Sequence, residues 1–66
     1  MATGTVKWFN AARGFGFIEQ PDGAEVFAHF SYIAERNVFS LLEGQNVHFD
    51  VMQARSGLYA ENIVSA

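Results

Sequence analysis

Arg13-Gly14-Phe15-Gly16-Phe17-Ile18 and, one turn later, Val26-Phe27-Ala28-His29-Phe30-Ser31 are the segments that decide how this chain folds. Successive side chains of a strand point to opposite faces, so Phe15 and Phe17 share one face, as do Phe27 and His29. Gly14, Gly16 and Ile18 take the other face with Val26 and Ala28, small or branched residues suited to the inside of a tight sheet. Burying that aliphatic side leaves several large rings in water. Contiguous exposed rings mark an interaction surface. The flat groups that stack on such rings are nucleobases, and Lys7 and Arg13 stand close by in sequence to attract a phosphate backbone.

Outward from this pair of strands, Thr3–Asn10 is rich in β-formers and reads as a preceding strand. Val6 and Trp8 share parity there, so burying Val6 while exposing Trp8 requires a bend or bulge. Asn10 to Gly14 is a short turn, Phe15–Gln20 the second strand, Pro21-Asp22-Gly23 a strong turn signal, and Glu25–Phe30 the returning arm of a hairpin. Ser31-Tyr32-Ile33 opens a tight helical turn. Ala34 to Leu42 has no sustained period and reads as a long loop, with a short helix as the alternative. Val47, Phe49 and Val51 alternate with His48 and Asp50 in a strand over Asn46–Gln53, and Ser56-Gly57 turns the chain into a fifth strand, Leu58–Val64.

Five short strands at this spacing predict an all-β barrel, because closure lets a short chain bury one face of every strand and hide its edges. The predicted interior is Val6, Ile18, Val26, Ala28, Ile33, Val47, Phe49, Val51 and Ile63. At 66 residues the chain is read as one domain spanning 1–66, close to the lower limit for a self-sufficient core. The absence of cysteine excludes disulfides and thiolate metal sites. There is no basic leader followed by an apolar run, and nothing approaches the roughly 18 apolar residues of a membrane span. A soluble, cytoplasmic protein without membrane contact is expected.

The net charge of -3 argues against a general polyanion binder. Its distribution moderates the objection: residues 1 to 18 hold Lys7 and Arg13 and no acid, while all seven acids lie from Glu19 onward. Binding is therefore expected to draw more on stacking than on charge. Ser31 lies two residues from His29, yet no third catalytic group or oxyanion loop accompanies them, so no enzyme is expected. His29, His48 and Asp50 lack metal-ligand spacing, and no cofactor is implied. Arg36 and Arg55 read as solvated loop charges.

Taken together, Gly4-Thr5-Val6-Lys7-Trp8-Phe9-Asn10, the two ring-bearing segments and Glu43-Gly44-Gln45 resemble the bacterial cold-shock proteins over nearly the whole chain. The resemblance implies a five-stranded antiparallel OB-fold barrel whose second and third strands bind single-stranded RNA and DNA. By position it assigns ligand contact to Lys7, Trp8, Asn10, Arg13, Phe15, Phe17, Phe27, His29 and Phe30, with Phe9 a partial contributor. Phe39 is divided between covering the barrel and flanking the ligand. The function implied is that of an RNA chaperone, with effects on transcription or translation during cold stress.

This chain departs from the family pattern in several places. Arg13 replaces the usual lysine, Asn37-Val38-Phe39 replaces a glycine, phenylalanine and basic residue, and Gly57-Leu58-Tyr59 replaces a Gly-Pro-Gln run. Tyr32 and Leu42 are more apolar than the pattern. A small barrel whose aromatic groove takes an extended or proline-rich peptide is the alternative from another class. A monomer is expected, with a dimer formed by strand exchange as the alternative.

Overall fold

Strands β1 (Ala2–Asn10), β2 (Phe15–Glu19), β3 (Glu25–His29), β4 (Asn46–Ala54) and β5 (Gly57–Ser65) form in the order read from the sequence. The computed structural model describes residues 1–66. A single 3-10 turn, Phe30–Tyr32, follows β3 where a tight helical turn was expected, and the chain from Ala34 to Leu42 is loop. No helix is long and apolar enough to cross a membrane.

The sheet closes on itself in the order β1-β2-β3-β5-β4. β1 achieves this by serving two neighbours, pairing with β4 through Ala2 to Thr5 and with β2 through Thr5 to Asn10. The bulge demanded by the parity of Val6 and Trp8 falls between those residues, where the register with β2 shifts. The extra residue leaves Val6 buried and turns both Lys7 and Trp8 to solvent.

The expectation of an antiparallel barrel needs one correction. β3 and β5 run parallel, paired at Phe27 and Tyr59, so the strands are of mixed orientation. The long loop causes this, since it carries the chain around the end of the barrel before β4 begins. A parallel bridge between Ile33 and Ile63 and a bond from the Ala34 amide to the Ile63 carbonyl (2.8 Å) hold the loop to β5 as it leaves the 3-10 turn.

The core consists of Val6, Ile18, Val26, Ala28, Leu41, Val47, Phe49, Ala60 and Ile63, with Ile33 half-buried against it. Seven of these were expected. Val51 is a correction: it is exposed, because β4 changes register between His48 and Asp50 and all its residues from Val51 to Ala54 face solvent, in a hairpin with β5 that outruns the core. Ala60 and Leu41 fill the interior instead. Leu41 reaches it from the long loop, where no periodicity marks a residue as inward. Each large side chain sealed in this way contributes about 1.5 to 3 kcal/mol before conformational entropy is charged against it.

Candidate nucleic-acid interface

With the aliphatic residues inside, the opposite face of β1, β2 and β3 carries rings in continuous contact. Phe15 pairs with His29 and Phe17 with Phe27 across the β2–β3 ladder, and Trp8 lies opposite Phe17 across β1–β2. The registers set the ring spacing: Trp8 is 5.8 Å from Phe15 and 5.7 Å from Phe17, and Phe27 is 5.9 Å from Phe15 and 5.8 Å from Phe17. Beyond them, His29 lies 6.4 Å from Phe27 and 4.7 Å from Phe30. These are the distances at which aromatic pairs support one another. Phe15, Phe17, Phe27 and His29 are half-buried, and Trp8 and Phe30 are exposed, so the rings lean on each other while keeping surface in water.

His29 is held by its neighbours. Its Nδ1 lies 2.8 Å from the Ser31 hydroxyl and accepts the Ser31 amide, capping the 3-10 turn. Phe30 is set by the turn before β2: its amide donates to the Gly14 carbonyl (2.8 Å), and Gly14, at φ 81°, brings its backbone against the Phe30 ring. A Cβ at Gly14 would lie 2.5 Å from Phe30 Cδ1.

Other expected contributors are placed differently. Phe9 is half-buried and packs against the core, because the bulge returns β1 to inward parity at that residue. Asn10 spends its Oδ1 on the Arg13 amide (3.1 Å), so its visible work is to close the β1–β2 turn. Arg13 is exposed in that turn and lines a groove of about 300 Å3 with Phe30 and Phe39. Phe39 is 69% exposed and lines the same groove.

Lys7 is not a free cation. Its Nζ donates to Glu25 Oε2 at 2.5 Å, and that hydrogen bond, helped by the Glu25 and Glu19 charges, raises the ammonium pKa above its ordinary value. The segregation of charge along the sequence thus does not survive folding, because β3 brings an acid beside β1. Glu25→Gln should steepen the log-log salt dependence of oligonucleotide affinity by about 0.7, one phosphate neutralised on a single strand. Titrations at several ionic strengths measure it, and an unchanged slope would show that Lys7 meets no phosphate.

Two further rings adjoin this face without having been anticipated. Tyr32 lies 6.4 Å from His29, and Tyr59 lies 5.5 Å from Tyr32, so the line of rings continues onto β5. The signal was the departure from family pattern at both positions, but only the parallel β3–β5 pairing brings them together. No cluster of histidine, aspartate or glutamate with metal-holding geometry is present.

Comparison with known proteins agrees with this geometry. Residues 2–66 match the family described as 'Cold-shock' DNA-binding domain. The chain is 54% identical over 66 residues to the cold shock protein CspC of Bacillus subtilis, covering all of both chains. It is 56% identical over 63 residues to the major cold shock protein of a Streptococcus pyogenes M1 strain, covering 96% of this chain and 94% of that one. It is also 54% identical over 67 residues to the cold shock protein ScoF of Streptomyces coelicolor, again covering all of both. With a barrel of this topology, a ring-bearing face on β1 to β3, and a match over nearly its full length, the chain belongs to the cold-shock domain family.

Proposed function

We propose that the protein binds unpaired RNA and DNA by stacking bases on the face formed by Trp8, Phe15, Phe17, Phe27, His29 and Phe30, and that it acts in the cytoplasm as an RNA chaperone in the cold-shock response. Membership of the family makes the chain a nucleic-acid-binding protein and not an enzyme. The observation that carries the finer reading is the unbroken contact of these rings on a surface still open to solvent. Each base stacked on a ring contributes about 1 to 3 kcal/mol, and every base has a π-face, so several stacks give affinity without strict sequence reading. Charge plays a smaller part, because Glu25 occupies Lys7 and Arg13 is the remaining cation beside the rings.

A duplex hides the faces of its bases. The protein therefore favours the open form of a hairpin by binding that form alone, a shift of population that needs no ATP. Stable hairpins in cold transcripts are the substrates on which this matters most. The test is a titration of Trp8 fluorescence with a short oligothymidine. Quenching by the single strand, with none by the matching duplex or by a proline-rich peptide, is the expected result; quenching by the peptide alone would replace this reading with a protein-interaction module.

A further inference from the structure

The line of rings runs past the face described above. Tyr32 stands in the 3-10 turn, 38% exposed, and its ring meets that of Tyr59 at a tilt of 37°. Tyr59 reaches this place because β5 lies parallel to β3, with Tyr59 level with Phe27. Beside the two tyrosines opens a groove of about 870 Å3, lined also by Phe17, Phe27 and Leu58. Its walls are therefore largely apolar and partly aromatic, and two of them are shared with the stacking platform. Such volume and lining suit a flat organic group.

The polar groups at this groove favour a base over a phosphate. The lining holds no lysine or arginine, Glu25 on its wall is already paired with Lys7, and Glu61 stands beside Tyr59, so the groove offers no free cation to a backbone phosphate. Desolvation, followed by the charge of Glu61, raises the Tyr59 phenol above its ordinary value.

We infer that Tyr32 and Tyr59, with the groove beside them, form an additional subsite that takes one further unpaired nucleobase where the strand leaves the platform. This rests on the platform reading above, since the occupant arrives as the continuation of a strand already stacked on Phe17 and Phe27. The subsite adds affinity through stacking, about tenfold for one base, with little dependence on salt. Only an oligonucleotide long enough to cover the platform and one step more can use it.

The test measures affinity by Trp8 fluorescence against oligothymidines of increasing length for the unaltered protein and for Tyr32→Ala, Tyr59→Ala and the two corresponding phenylalanine variants. The unaltered protein should show a final length step of about tenfold. Both alanine variants should lose that step while binding shorter strands as before, and Tyr32→Phe and Tyr59→Phe should keep it. Should Tyr59→Ala prove unfolded in a thermal melt, Tyr32→Ala decides the question, because Tyr32 is exposed and lies outside the core. Length dependence retained in the alanine variants would overturn the subsite and leave the platform standing. A uniform loss at every length would overturn it as well, assigning the tyrosines to support of the platform. No binding of any strand would remove platform and subsite together.

Discussion

Phe27→Ala weakens binding of a short single strand by roughly ten- to a hundredfold while the barrel stays folded. The magnitude is that of a lost base stack, about 1 to 3 kcal/mol. The upper part of that range applies because Phe27 stands among Phe15, Phe17 and His29, at 5.9, 5.8 and 6.4 Å, and removing it deprives three other rings of lateral support. The fold tolerates the change for a separate reason. Phe27 belongs to the half-buried face, whereas Val26 and Ala28 on either side are sealed in the core and keep β3 in place. Fluorescence titration measures the first effect and a thermal melt the second. Unchanged affinity, or a chain that no longer folds, would show that the ring is packing rather than platform.

Gly16→Ala acts on the other side of the same sheet, and its effect is on stability. Gly16 is level with Phe9 of β1, and a Cβ there would lie 2.1 Å from the Trp8 carbonyl oxygen and 2.7 Å from the Phe9 Cα. Both atoms are backbone, so no rotamer change relieves the clash and β1 must move away from β2. Overpacking ordinarily costs about 1 to 3 kcal/mol; a clash with backbone belongs at or above the top of that range. In a domain of this size about 3 kcal/mol lowers the melting temperature by roughly 12 to 24 °C. A melt of the variant checks it, and a shift of only a few degrees would mean that the β1 bulge can absorb a methyl group. Oligonucleotide affinity should fall too, because displacing β1 carries Trp8 away from Phe15 and Phe17.

Much of this was legible in residue order because the information is local. Alternation of small and aromatic residues over Phe15 to Ile18 and Val26 to His29 assigns two faces to two strands before any packing is known. The parity conflict between Val6 and Trp8 foretold the β1 bulge in the same way. Where alternation has no hold, the reading was incomplete. Leu41 sits in an aperiodic loop yet plugs the core, while Val51 continues a clean alternation into a segment where the core has already ended. Phe9, to which the family resemblance assigns a partial role, packs against the core because the bulge turns it inward.

Sequence alone therefore determined which residues are oily and which are flat, and that the two kinds lie on opposite sides of a short closed sheet, since period-two patterning is a property of the chain itself. The tertiary structure alone decided what meets across long separations. It placed Glu25 on Lys7, and through the parallel seam between β3 and β5 it set Tyr59 beside Tyr32 and level with Phe27. Such pairings depend on how the strands close in space, and no spacing along the chain encodes that closure directly.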